Sequence, residues 1–172
     1  RAAALGITTT LASGILASSG YADDTPKKGG TLKLGMEGGS PSDSLDPRTY
    51  ADSVMIAASL AACNCLVEFS ADGKPTGELF ESWDVKPGAK EWVVNVRKDV
   101  TFSNGKTLDA DDCIYSIQIH RGETKSPAKG ILEQISEIKA LNKNQVAITL
   151  ADGNADFPVI LGDYHLIVVP KD

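Results

Sequence analysis

Hydrophobic and polar positions alternate with a period of two in several short runs of this chain and recur at helical spacing in others, so the pattern predicts both strands and helices. The run "TLKLG", residues 31–35, alternates as a short strand behind the polar, Gly- and Pro-containing "DDTPKKGG". "MEGGSPSDSLDP" reads as loop. From Asp52, "DSVMIAASLAACNCLVEF" carries Ala, Leu, Met and Ile at helical spacing, with Asp52 or Ser53 as its N-cap, and its apolar composition predicts a largely buried helix. "SADGKP" is a turn and "GELFESW" a short helical or irregular step. "EWVVNVR" is a half-buried strand with Trp92, Val94 and Val96 on one face and Val93, Asn95 and Arg97 on the other.

"SNG" turns the chain again, and "LDADDCIYSIQIHR" then sets Ala110, Cys113, Ile114 and Ile117, with Arg121 beyond, along one side of a helix. The alternating runs "ISEIKAL" and "QVAITL", separated by "NKN", have the pattern of a hairpin. "NADFPVILGDY" predicts a short helix with Asp156 near its start and Pro158 in its first turn, followed by a final strand, "HLIVVP". The sequence has no repeat and no low-complexity tract. Its class is α+β, with antiparallel pairing in the second half, and an apolar edge strand at "IVVP" would call for a partner.

Three aspartates, Asp109, Asp111 and Asp112, crowd the start of the second helix. Asp109 precedes Asp112 by three residues, the spacing at which carboxylates accept the orphan N–H groups of a first turn and oppose the helix dipole. A calcium loop would need oxygens at alternating positions, with Gly at the sixth and an acid at the twelfth, where "DADDCIYSIQIH" offers Cys and Ile. Capping is therefore the expected role. His120 is expected near a helix C-terminus, where a cation is favoured, and His165 beside the last strand. Neither has H-x-x-x-H or C-x-x-C company, and no G-x-S-x-G elbow or Walker loop occurs, so the sequence suggests no metal, no cofactor and no enzyme.

The 172 residues, 42% of them hydrophobic, suffice for one ordinary domain. Behind Arg1, "AAALGITTTLASGILA" and "SSGYA" read as a secretory signal peptide, residues 1–22, lacking its N-terminal part and cleaved after Ala22. The apolar run, about 15 residues, is too short and too polar to hold a transmembrane span. Residues 23–30 follow as a linker. Both general secretory (Sec) and twin-arginine (Tat) export fit the segment. Without Arg1 the chain carries 16 basic and 23 acidic side chains, a balance that argues against binding nucleic acid. Cys63, Cys65 and Cys113 are an odd count for an exported protein. A helix would splay Cys63 and Cys65 apart by about 200°, against a mutual disulfide or shared metal. Three buried thiols is the first reading, and a disulfide from Cys113 to one of the pair is its rival.

Taken as an ordered set, "ADGKPTGELFESWDV" followed by "EWVVNVRKDVTFSNGKTLDADDCIYSI" strongly resembles the signature region of the family 5 extracytoplasmic solute-binding proteins, the peptide and nickel class that serves ATP-binding-cassette (ABC) importers. "GGTLKLG" and "SLDP" upstream, and "HRGETKSPAKG" and "NADFPVILGDYHLIVVP" downstream, look like the same family in the same order, so the resemblance extends over residues 29–170. It implies a partial periplasmic-binding-protein fold of type II, a two-lobed receptor that closes on its ligand by hinge motion. Residues 31–50 and 166–172 would belong to lobe I and residues 51–165 to a small extra domain packed on it. Members of the family are much longer, so the second main lobe, with its half of the cleft, is expected to be absent and the chain to be a fragment. Ser103, Asn104 and Gly105 match the family's turn and are expected to shape a hairpin.

The resemblance implies a receptor in the periplasm that takes peptides or similar small solutes and delivers them to membrane permease subunits. Carried over residue by residue, it points to Thr49, Tyr50 and Asp52, after "SLDP", and to Ser126 and Pro127, in "KSPAKG", as ligand contacts. Structural roles compete at each: Tyr50 can cover the following helix, Asp52 can cap it, and Ser126 with Pro127 can make a turn. Relatives with an acid directly after the "DP" step have no counterpart here before Asp52. The ligand itself (peptide, nickel complex, haem, opine or sugar) is not written in the sequence. A truncated interaction module and, behind it, a hydrolase using Asp111 or Asp112 as general base are the alternative functions.

Overall fold

Four runs of alternating side chains pair into one antiparallel sheet in the computed structural model, which describes residues 28–171. The elements in chain order are α1 (Ser53–Ala62), β1 (Val67–Phe69), β2 (Pro75–Gly77), β3 (Phe80–Val85), β4 (Glu91–Val96), α2 (Ala110–Gln118), α3 (Lys129–Leu132), β5 (Ile135–Asn142), β6 (Gln145–Leu150) and α4 (Phe157–Leu161). The sheet runs β3-β4-β6-β5, and β1 with β2 makes a separate two-stranded hairpin. The α+β class and the hairpin of the second half are both as the pattern predicts. Of the described residues, 28–35 and 36–171 fall in separate units. The signal peptide, its cleavage after Ala22 and the start of the linker lie outside the described residues.

The core follows from the pleat. Trp92, Val94 and Val96 of β4 face inward beside Val146, Ile148 and Leu150 of β6, all nearly inaccessible to solvent. Helix α2 covers this face with Ala110, Cys113 and Ile117, and α4 adds Phe157 and Leu161. The Trp92 and Phe157 rings lie 5.7 Å apart at a 52° tilt, a favourable aromatic arrangement. The turn at Ser103–Gly105 closes as expected, with Gly105 at φ +87° and the Lys106 N–H bonded to the Asn104 side chain.

Five expectations need correction. "GELFESW" is largely strand β3 rather than a helical step: Phe80 pairs with Val96 and Trp83 with Val94, and a bulge between Phe80 and Ser82 absorbs one residue. That extra residue puts the two inward aromatics three apart, which imitates helical spacing in the sequence. Helix α1 ends at Ala62, and Val67–Phe69 pairs with β2 instead of continuing it. Nor is α1 largely buried: Met55 and Ser59 are, while Leu60 is 51% exposed. Apolar residues all round a helix do not say which side has neighbours.

"TLKLG" forms no strand, because a strand exists only through a ladder with a neighbour and none of the described residues pairs with it. "HLIVVP" makes only an isolated bridge, Cys65 to Ile167, rather than a final strand. His165, Leu166, Ile167 and Val168 are buried in succession, so that segment is threaded through the interior and lies on no sheet edge. The cysteines are free thiols, without the Cys113 disulfide considered above.

Candidate functional site

The three aspartates resolve into a cap and a tie. Asp109 Oδ1 accepts from the Asp111 and Asp112 N–H groups at 3.0 and 3.3 Å, and Asp112 Oδ2 accepts from the Asp109 N–H at 3.1 Å, a reciprocal capping box. Asp112 does more than the spacing suggested. Its other oxygen receives the Lys106 ammonium at 2.6 Å and the Lys171 backbone N–H at 2.9 Å, and its side chain is fully buried. Burial pushes this carboxyl up, but Lys106 and the two backbone N–H groups outweigh it and hold it below the usual carboxylate range. Among the described residues no cluster of three or more His, Cys, Asp or Glu side chains is placed to hold a metal ion.

The five residues implied as ligand contacts fall on two segments. Asp46 caps a 3-10 turn, Pro47–Thr49, and is gripped by the Arg48 guanidinium at 2.9 and 2.6 Å, which holds its carboxyl below the ordinary range. Thr49 is exposed, its hydroxyl donating to the Asp46 carbonyl at 2.8 Å. Tyr50 is buried to 1% exposure, and its hydroxyl donates to the Leu45 carbonyl at 3.0 Å. Asp52 Oδ1 caps α1, accepting from the Val54 and Met55 N–H groups at 2.9 and 3.0 Å. On the other segment Ser126 is buried, 2.6 Å from His120 Nδ1 and accepting from the Ala128 N–H at 3.2 Å, with Pro127 exposed beside it.

Two histidines stand behind these segments. His120 is fully buried just past the end of α2, its Nε2 without a hydrogen-bond partner among the described residues. Burial, and then the neighbouring His165, push it down to about 4, so at neutral pH it is an uncharged ring, not the cation expected at a helix terminus. His165 Nδ1 lies 2.7 Å from Asp163 Oδ1, and its Nε2 lies 3.1 Å from the Tyr50 carbonyl oxygen. The Tyr164 ring is 4.1 Å from the His165 ring between centroids, and the Tyr50 ring 6.4 Å. This His165–Asp163 unit was not picked out from the sequence as part of the site, although "GDYHL" carried a signal: an acid two residues before a histidine inside an apolar run. Next to it an open cleft of about 440 Å³ lies between the end of α1, β1 and the loop after α4, lined by Leu60, Cys63, Cys65, Phe69, Asp163 and Tyr164.

Comparison with known proteins places this geometry. Among curated proteins, the nickel-binding periplasmic protein of Escherichia coli (strain K12) is 33% identical over 107 residues, 62% of this chain and 20% of that protein. The periplasmic oligopeptide-binding protein OppA of the same organism is 45% identical over 47 residues, 27% of this chain and 8% of its own length. The chain thus spans about a fifth or less of these relatives. Of solved structures, the binding protein AgaA of A. tumefaciens R10, in complex with agropinic acid, superposes with a TM-score of 0.71 at 28% identity, covering 77% of this chain and 27% of that one. DppA of Helicobacter pylori in complex with the peptide STSA matches in fold at a TM-score of 0.65 and 23% identity, over 76% of this chain and 29% of its own. The fold is therefore that of part of a periplasmic binding protein, and the likeness first carried by the ordered motifs holds. A family model describing the middle of bacterial extracellular solute-binding proteins, family 5, matches residues 74–172, and the chain belongs to that family.

Proposed function

We propose that this chain is part of the substrate-capturing component of an ABC importer, which binds peptides or similar small solutes in the periplasm and delivers them to a membrane permease. The observation that carries this reading is the family match over residues 74–172. Relatives named for nickel, oligopeptide and agropinic acid binding support a capture role and leave the solute open. Within that reading, residues 31–50 and 166–172 serve lobe I and residues 51–165 the small domain packed on it.

Thr49, Tyr50, Asp52, Ser126 and Pro127 are the proposed ligand contacts. Exposed Thr49 and Pro127 offer surface directly, whereas Tyr50, Asp52 and Ser126 are already bonded within the protein and act through the backbone they hold. A cleft that buries most of a solute needs walls on both sides, so binding to this chain alone is weak. The test is an amide nuclear magnetic resonance titration of the chain with short peptides. Saturable shifts confined to residues 46–52 and 124–128 are expected. A peptide panel that perturbs only other regions, or none, would count against the reading.

A further inference from the structure

Both ring nitrogens of His165 face acceptors. Nδ1 lies 2.7 Å from a carboxylate oxygen of Asp163 and Nε2 lies 3.1 Å from the Tyr50 carbonyl, and neither of those oxygens can donate. A neutral imidazole has one N–H, so either tautomer would point a nitrogen lone pair at an oxygen lone pair. The side chain is only 5% exposed, which leaves little room for water to relieve that clash. The imidazolium form, with an N–H on each side, satisfies both contacts.

The surroundings agree. A cation is attracted to the face of a tyrosine ring, and the Tyr164 centroid is 4.1 Å from that of the His165 ring. Asp163 Oδ1 also accepts the backbone N–H of His165 at 2.9 Å, which fixes the carboxylate in place. Of the neighbouring titratable groups, His120 is neutral as described and Cys65, near enough to feel the Asp163 charge, has its thiol pushed up to about 11, chiefly by burial, so the hydrogen bonds put the imidazolium on His165.

We propose that His165, donating from both ring nitrogens, is the positioning residue of the 46–52 segment: it ties the Tyr50 carbonyl to the Asp163 carboxylate and so fixes the surface that segment presents to a solute. The Tyr50 hydroxyl is anchored to Leu45 and Asp52 to the first turn of α1, so this one bond restrains the middle of the segment from outside it. The solute part of the inference rests on the reading of residues 49–52 as ligand contacts, while the tie itself does not.

The experiment uses the chain as it is, labelled with nitrogen-15, and reads the imidazole nitrogens and the amide exchange of residues 46–52 at one fixed pH. Two protonated ring nitrogens on His165 beside a neutral His120 are expected. At that pH His165→Gln should make amides of the 46–52 segment exchange about five- to tenfold faster than in the parent chain, the loss of one ordinary hydrogen bond, with exchange in β4 and β6 unchanged. Asp163→Asn, which takes the carboxylate from the ring, should act in the same direction. An unprotonated nitrogen on His165 in the parent chain overturns the proposal, as does a His165→Gln chain whose 46–52 exchange equals that of the parent. If the tie holds and the peptide titration leaves 46–52 unperturbed, the capture reading fails separately.

Discussion

Replacing Asp112 by alanine tests whether the acid crowd at α2 is a cap or something stronger. Asp109→Ala removes an N-cap carboxylate, a change that costs about 1 kcal/mol. Asp112 holds the same capping box from the other side and also receives the Lys106 ammonium and the Lys171 N–H inside a fully buried side chain, so it joins the 102–106 turn, the start of α2 and residue 171. Removing its carboxylate takes away a charge-assisted bond from Lys106, whose side chain is 31% exposed, and an acceptor for two backbone N–H groups, a cost of about 2–3 kcal/mol. With a urea dependence of about 2 kcal/mol per molar, Asp112→Ala should lower the unfolding midpoint by roughly 1–1.5 M and Asp109→Ala by roughly 0.5 M. Fluorescence of the buried Trp92 reports the transition. Because Asp112 is held below its unfolded value, its contribution is present above about pH 4 and is lost as pH falls through the folded value. Equal midpoint shifts for the two variants would refute the reasoning and leave capping as the whole role of these acids.

The remaining predictions are independent of that one. His120, pushed from 6.5 to about 4, contributes about 3 kcal/mol above pH 6.5 that is lost as pH falls from 6.5 to 4, so stability of His120→Phe should be flatter over that window when followed by denaturant melts. Cys113, pushed up to about 12 by burial and then by Asp112 and Asp109, and buried Cys65, pushed up to about 11, should stay unreactive to a disulfide reagent at pH 8 until the chain unfolds, with burst labelling confined to Cys63. Gly153→Ala would drive a Cβ into the Gly88 carbonyl oxygen, a backbone atom with no easy way to move, and should cost about 1–3 kcal/mol in the same melts. Ile117→Ala, at a fully buried contact of α2 with the sheet, should cost about 2–5 kcal/mol without altering the His165 ring signals.

Where a side-chain pattern is enforced by its own local backbone, the sequence was enough. The alternation of β4, the hairpin of β5 and β6, the turn at Ser103–Gly105 and the caps at Asp52 and Asp109 are decided within a few residues, by the pleat and by orphan N–H groups that a nearby carboxylate must meet. The ordered motifs carried the family for the same reason of sequence proximity. Long-range neighbours decided the rest. Strand β3 looked helical because its bulge is defined only against β4, "TLKLG" alternated without a ladder to join, and the apolar run "HLIVVP" meets a single bridge. The burial that neutralises His120, the bond from the Lys171 N–H to Asp112 and the bond from His165 across to Tyr50, 115 positions away in the chain, come from packing that no local pattern encodes. Dielectric surroundings and hydrogen-bond partners are properties of a place in three dimensions, and tertiary structure alone assigns a residue to one.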